Sequence, residues 1–97
     1  MGAVNAIRIR PIDNVAVATR AIAAGDDVKT AEGLVVPARD AIVYGHKVAL
    51  VEIADGAEIV KYGECVGHAS RAIQPGETVH THNVTPLPLP DVYIDAT

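Results

Sequence analysis

The stretch Ile73-Gln74-Pro75-Gly76-Glu77-Thr78-Val79 contains the pattern from which the fold of this chain can be predicted. Its centre, residues 74–77, is a favourable type II turn sequence, because proline suits the first central position and glycine accepts the positive φ of the second. Ile73 is an apolar anchor before the turn, and Val79 has the β-branched side chain that suits a strand. The segment therefore predicts a tight corner between two strands.

The same spacing of an apolar residue, a glycine and a second apolar residue occurs at two earlier positions. These copies are Ile22-x-x-Gly25-x-x-Val28 and Ile53-x-x-Gly56-x-x-Ile59. The three glycines lie 31 and then 20 residues apart, and this unequal spacing excludes a solenoid of regular repeats. The pattern is typical of one domain that uses the same corner several times.

Short runs with strand character lie between these corners, separated by frequent turn signals. The chain has no Trp or Phe and only three Tyr, so we expect a core of Val, Ile, Leu and Ala. The sequence predicts a mainly β fold, barrel-like or clip-like, with one or two short helical turns within residues 19–24 and 38–41. The predicted strands are residues 6–12, 15–19, 34–36, 47–52, 58–60 and 79–84.

Length, charge and cysteine content exclude several classes of protein. With 97 residues the chain forms a single domain, and its net charge of -4 gives no basic surface for nucleic acid. No apolar run approaches the roughly 20 residues that span a bilayer, and no signal peptide pattern is present. The single cysteine, Cys65, excludes an internal disulfide and is expected to be a buried, unreactive thiol in a reducing cytoplasm.

The chain changes character after residue 84. The segment Thr85-Pro86-Leu87-Pro88-Leu89-Pro90 alternates prolines, which favour an extended path outside a central sheet. We therefore predict a β domain over residues 1–84 and a Pro-rich tail over residues 85–97. Its leucines are expected to lie against another subunit, either a different chain or a second copy of this one.

Two histidines, His80 and His82, lie within the segment Val79-His80-Thr81-His82-Asn83. If the strand continues through this segment, both imidazoles lie on the same face. Imidazole titrates near neutral pH, so the pair can transfer a proton or ligate a metal, with His46 as a further ligand. The alternative is a solvated strand end without a chemical role.

Two other places carry polar side chains that suit binding. His46 and Lys47 precede an apolar strand and can hold a carboxylate or phosphate, although Lys47 can also be a charge that protects a sheet edge. Asp13 and Asn14 predict an Asx turn, with the alternative of hydrogen bonding to a hydroxylated substrate or a cation. His68 shares no short spacing with the other histidines and is expected at the surface.

Several of these segments, taken in order, resemble the SAF domain of the altronate and galactarate dehydratase family. They are DNVAV at 13–17, IAAG at 22–25, GHKVAL at 45–50, IADG at 53–56, VKYG at 60–63, VGHA at 66–69, IQPGE at 73–77 and VHTHN at 79–83. The resemblance covers residues 5–84, and the ordered combination is more specific than any single segment.

The resemblance implies a β-clip fold and a part in a metal-dependent lyase. The implied reaction is a β-elimination that releases water from a sugar acid such as altronate or galactarate, or sulfite from sulfolactate. In this family the domain either begins a long dehydratase chain or is a separate small subunit, and this chain is similar to the separate form. The implied partner is a large catalytic subunit, and the implied cofactor is a divalent metal, Fe(II) in the dehydratases.

The resemblance also suggests roles for individual residues, as far as the motif matches. On this interpretation His80 and His82 are candidate acid/base groups or, as our own hypothesis, metal ligands, and Asn83 would orient a ligand or the substrate. His46 and Lys47 would bind the carboxylate end of the hydroxy acid. Two other classes of function stay open, namely a non-catalytic assembly module and an isolated module that binds a small carboxylate.

Overall fold

The computed structural model describes residues 3–87, which form nine short β-strands and no helix. The mainly β prediction is confirmed, and the arrangement is consistent with a β-clip. Within these residues no helix is long and apolar enough to cross a membrane. The strands are β1 (Ala6–Ile7), β2 (Val15–Ala18), β3 (Asp27–Lys29), β4 (Val35–Pro37), β5 (Lys47–Ala49), β6 (Glu58–Lys61), β7 (Glu64–Ala69), β8 (Thr78–Val79) and β9 (Val84–Pro86).

The strands form three antiparallel sheets. The four-stranded sheet has the order β1-β2-β5-β8, the strands β3 and β4 form a hairpin, and the third sheet has the order β6-β7-β9. Lys47, at the start of β5, lies between Val17 of β2 and Val79 of β8. The first residue of β5 is therefore paired with a neighbouring strand on each side.

Four copies of the corner motif organise the fold, one more than the three quoted above. The fourth copy is Ile42-x-x-Gly45-x-x-Val48. The copies beginning at Ile22 and Ile53 are 31 residues apart, and so are those beginning at Ile42 and Ile73. Isolated antiparallel bridges join Ile22 to Ile42 and Ile53 to Ile73. The chain therefore contains two halves with the same backbone plan, related by a shift of 31 residues.

An alanine four residues before each of these isoleucines completes the corners. Within each half the amide of a motif glycine donates to the carbonyl of the alanine that precedes the other corner. The four bonds are Gly25 to Ala38, Gly45 to Ala18, Gly56 to Ala69 and Gly76 to Ala49, with lengths of 2.8, 2.9, 2.8 and 2.8 Å. Each half is thus closed by the same pair of hydrogen bonds.

The apolar core repeats in the same way. One buried cluster contains Ala18, Ile22, Val28, Ala38, Ile42 and Val48. The other contains the residues 31 positions later, which are Ala49, Ile53, Ile59, Ala69, Ile73 and Val79. Burial of these aliphatic side chains supplies the main stabilising free energy, since each contributes about 1.5–3 kcal/mol for Val, Ile or Leu.

Three local predictions differ from the structure. Residues 19–24 and 38–41 form bends beside the Ile22–Ile42 bridge rather than helical turns. The predicted strand over 6–12 ends at Ile7. The predicted strand over 79–84 is also wrong, because β8 ends at Val79 and residues 81–83 form a turn.

The segment after residue 84 begins as a strand. Thr85 and Pro86, which the sequence placed in the tail, belong to β9 and pair with His68 and Gly67 of β7. Pro86 is tolerated there because β9 lies at the edge of its sheet. The rest of the predicted tail, residues 88–97 with Leu89, lies outside the described residues.

Candidate functional site

The pairing of β5 with β8 places His46 against His80. Lys47 lies opposite Val79 in this antiparallel pair, so the next position in the register sets His46 opposite His80. Their rings stack, with centroids 4.1 Å apart and planes inclined by 16°. Two of the residues that the sequence singled out thus meet across a sheet, although they are 34 positions apart in the chain.

A cavity opens beside this pair of histidines. It has a volume of about 380 Å³ and is lined by Lys47, His80, Thr81, Val84 and Pro86. Lys47 is half-buried at its side, whereas His80 and Thr81 are exposed to solvent. The cavity therefore combines one cation, one imidazole and an apolar wall, which suits a small organic anion.

Asn83 holds the turn that presents His80. Its side chain is fully buried, with 0% of its surface exposed. The side-chain oxygen accepts a hydrogen bond of 2.9 Å from the amide of His80, and the side-chain nitrogen donates one of 2.9 Å to the carbonyl of Thr78. The carbonyl of Asn83 accepts from the amide of Ser70, at 3.0 Å. Asn83 therefore fixes His80 relative to β7 and β8.

The surroundings lower the pKa of both basic groups at the cavity. Partial desolvation of the stacked ring, followed by the nearby charges of His46, Lys47 and His82, lowers the pKa of His80 below 6.5. Burial, followed by the charge of Lys61, lowers the pKa of Lys47. The lowered pKa increases the neutral fraction of His80 at pH 7, and the neutral imidazole can accept a proton.

We expect His80 to titrate below 6.5 when the chain is followed by NMR as a function of pH. Lys47→Met removes one neighbouring positive charge and should raise the midpoint of His80, whereas Lys47→Arg keeps the charge and should leave it low. The imidazole carbon and proton shifts of His80 give both midpoints. A midpoint above 6.5 in the unmodified chain, or equal midpoints in the Met and Arg variants, would contradict this description of the site.

The histidines of this site do not by themselves form a metal centre. A metal ion lies in the plane of each imidazole that binds it, but the rings of His46 and His80 lie in nearly parallel, stacked planes. Among residues 3–87, no group of three possible ligands includes His46, His80 or His82. As they stand, these residues do not fit a divalent metal without ligands from elsewhere.

Asp13 and Asn14 have structural partners on the hairpin of β6 and β7. The Asp13 carboxylate accepts hydrogen bonds from the amides of Ile9, Arg10 and Gly63, the last at 2.7 Å. Burial alone would raise the pKa of Asp13, but these hydrogen bonds outweigh it and lower the pKa. The carboxylate therefore anchors the hairpin turn.

Asn14 makes a contact that recurs in the other half of the chain. Its side chain accepts from the amide of Val60 at 2.8 Å and donates to the carbonyl of Glu58 at 2.9 Å. Asn5 makes the same two bonds to Lys29 and Asp27, which are the equivalents 31 positions earlier. Because both halves use this arrangement, it belongs to the fold. A part for Asp13 or Asn14 in binding substrate stays a prediction.

Sequence reasoning missed some of the residues that shape the cavity. Val84 and Pro86 line it because β9 pairs with β7, whereas the sequence predicted Val84 as the end of the strand over 79–84 and Pro86 as part of a tail. The sequence also left His68 as an isolated surface residue, and the structure shows it half-buried on β7. A sequence signal for both was Gly67, since a glycine within a strand marks a bulge or a close approach of another backbone.

This domain is similar in sequence to domains of known proteins. Residues 4–86 match the family model described as the altronate/galactarate dehydratase SAF domain. Over 77 residues the chain is 43% identical to altronate dehydratase of Escherichia coli and 44% identical to altronate dehydratase of Bacillus subtilis. These residues are 79% of this chain but 15% of each dehydratase.

The name of a further relative describes it as a subunit of an enzyme. The (2R)-sulfolactate sulfo-lyase subunit alpha of Chromohalobacter salexigens is 41% identical over 46 residues, which are 47% of this chain and 49% of that protein. The chain thus spans about 15% of the length of the altronate dehydratases and its match covers about half of the sulfo-lyase subunit. The family match over residues 4–86 nevertheless extends across nearly all of the described structure, and the chain belongs to the altronate/galactarate dehydratase SAF domain family.

Proposed function

We propose that this chain is the small subunit of a lyase and forms one wall of an active site that a large catalytic subunit completes. The grouping of Lys47, His46 and His80 beside a cavity of about 380 Å³ carries the proposal. Relatives named as altronate dehydratases and as a sulfo-lyase subunit support the class of reaction. The substrate would be a hydroxy acid, either a sugar acid such as altronate or galactarate, or sulfolactate.

Lys47 would bind the carboxylate of this substrate. Lys47 is half-buried, so an ion pair formed there is less screened by water than one on an open surface. The burial that lowers the pKa of Lys47 also favours a bound anion, since an anion restores the stability of the charged form. His46 packs against His80 and would fix the orientation of its ring.

His80 would act as the base of the elimination. Its neutral imidazole takes the proton from the carbon next to the carboxylate, and the electron pair of that C–H bond forms the new double bond. The group on the neighbouring carbon departs with its bonding electrons, as hydroxide that is protonated to water or as sulfite. His82, exposed on the same turn, would supply the proton for the departing hydroxide.

Asn83 would act through His80 as a positioning residue. Its side-chain oxygen and nitrogen are both engaged in the turn, so its contribution comes from holding the backbone of His80. The direct contact with substrate that the resemblance implies stays a prediction.

A divalent metal, with Fe(II) as the first candidate, would belong to the assembled enzyme. When bound, such an ion polarises the carboxylate or the departing hydroxyl group as a Lewis acid. As the alternative to their acid/base roles, since one imidazole cannot bind the ion and act as the base at once, His80 and His82 would each contribute one nitrogen, and the remaining ligands would come from the large subunit or the substrate.

The test is to co-express the chain with a large dehydratase-like subunit and to assay the purified complex. The panel contains altronate, galactarate and sulfolactate, with the keto acid product and free sulfite measured separately. We expect turnover of at least one of these acids, and the product shows whether water or sulfite leaves. A stable complex that is loaded with divalent metal and eliminates from none of them contradicts the proposed function.

A further inference from the structure

A second group of chemically active side chains lies on the hairpin of β6 and β7. One ligand atom from each of Glu58, Cys65 and His68 lies within 4.8 Å of the other two. Cys65 is a free cysteine and is half-buried, as is His68, while Glu58 is exposed. The group therefore combines a thiol, an imidazole and a carboxylate at an accessible place.

A β-bulge brings these side chains to the same face of the sheet. Cys65 and His68 are three positions apart on β7, and in a regular strand such residues point to opposite faces. The pairing of β7 with β6 skips Val66, which is an extra residue in β7. The extra residue restores Cys65 to the face of His68, and Glu58 lies directly opposite His68.

The fold does not require this group of side chains. The hairpin of β3 and β4 is the equivalent of this hairpin in the first half of the chain. There Asp27 pairs with Pro37 as Glu58 pairs with His68, and Val35, opposite Lys29, takes the place of Cys65, opposite Val60. That hairpin has a regular register without the bulge, and its valine and proline offer no ligand atom, so a hairpin forms at the equivalent place without a set of ligands. The three ligands in the second half are therefore not needed for the hairpin to fold.

The group lies on the opposite face of its sheet from the cavity of the candidate active site. His68 pairs with Thr85 of β9, so their side chains share a face. The neighbours of Thr85, Val84 and Pro86, point to the other face and line that cavity. A site at the hairpin is therefore separate from the histidine turn.

We propose that Glu58, Cys65 and His68 bind a divalent ion of the zinc class. Thiolate, imidazole and carboxylate together favour Zn²⁺, whereas Mg²⁺ and Ca²⁺ prefer oxygen ligands alone. The Cys65 thiol donates to the carbonyl of Gly67 at 3.3 Å. When the sulfur binds the ion, this hydrogen bond is lost and the proton is released to solvent. Three protein ligands leave the fourth position of a tetrahedral ion for water or another ligand.

Cobalt(II) provides the test, because a bound thiolate gives Co²⁺ a strong charge-transfer absorption and a tetrahedral site gives intense visible bands. The full chain is stripped with a chelator and titrated with Co²⁺, and then with Zn²⁺. We expect one Co²⁺ per chain, both spectral features, and displacement by Zn²⁺. Cys65→Ser should abolish the charge-transfer band, and Glu58→Gln and His68→Ala should each weaken binding by at least tenfold.

Two control variants make the result specific. Glu64→Gln removes a carboxylate next to Cys65 that is not part of the group, and His80→Ala removes an imidazole of the other site. Both should bind Co²⁺ like the unmodified chain. The proposal is overturned if Co²⁺ gives no charge-transfer band, if Cys65→Ser binds unchanged, or if His80→Ala is the variant that loses the ion.

Discussion

Replacing Gly76 with alanine is expected to lower the free energy of unfolding by about 4 kcal/mol or more, which is large for a domain of this size. Gly76 has a φ of 88°, and a Cβ built there would lie 2.0 Å from the carbonyl oxygen of Pro37. That contact is with backbone, so no side-chain rotation relieves it. The amide of Arg39 also donates to the carbonyl of Gly76 at 2.8 Å, and this bond would be displaced.

Gly45→Ala is the matched control, because Gly45 is the equivalent of Gly76 in the first half of the chain. Its φ is 84°, but no atom lies within 4 Å of a Cβ built there. Gly45→Ala should therefore lower the free energy of unfolding only by the strain of a positive φ, about 1–2 kcal/mol. Urea denaturation or thermal unfolding measures the stability of both variants. Each kcal/mol lost should lower the melting temperature by roughly 4–8 °C. Equal destabilisation by the two substitutions would contradict the packing described at the Gly76 corner.

Replacing His80 with alanine is expected to lower kcat of the assembled enzyme by about 10²–10⁴-fold, the usual contribution of a general base. His80 is exposed and its backbone is held by Asn83, so removal of the ring should leave the fold and the assembly intact. Steady-state kinetics of the purified complex measure kcat. Thermal unfolding and gel filtration of the same sample show whether the complex is preserved.

Arg20→Ala is the control for this kinetic result. Arg20 is an exposed cation in the first half of the chain and does not line the cavity beside His80. Its replacement should leave kcat within about twofold of the unmodified complex, as expected for a surface change away from the site. If His80→Ala forms the complex and turns over as fast as Arg20→Ala, His80 is not the base.

The corners of the fold could be predicted from the sequence, because an isoleucine, a glycine and a β-branched residue at fixed spacing describe a local turn. Gln74-Pro75-Gly76-Glu77 is such a turn, closed by a hydrogen bond of 3.1 Å from the amide of Glu77 to the carbonyl of Gln74. The duplication was less visible, since its copies alternate between two sets and the spacing between successive motif glycines is unequal. Position 45 completes the pattern only when Tyr44-Gly45 is aligned with Pro75-Gly76.

The candidate site was predictable only in its residue types. The turn around His80 and the segment containing His46 could be singled out, but their stacking depends on the register between β5 and β8. The role of Asn83 could not be predicted because it depends on burial: the buried polar side chain supports the turn from inside. The group on β7 depends on the bulge at Val66, which reverses the alternation that a sequence pattern assumes.

Turnover by the large subunit with and without this chain tests the central claim of a shared active site most directly. The large subunit is purified alone, with divalent metal supplied, and assayed before and after addition of the unmodified chain or of the His80→Ala variant. The account predicts little turnover by the large subunit alone, full turnover with the unmodified chain, and a loss of about 100-fold or more with the variant. Full turnover by the large subunit alone would contradict it and would assign this chain to assembly instead.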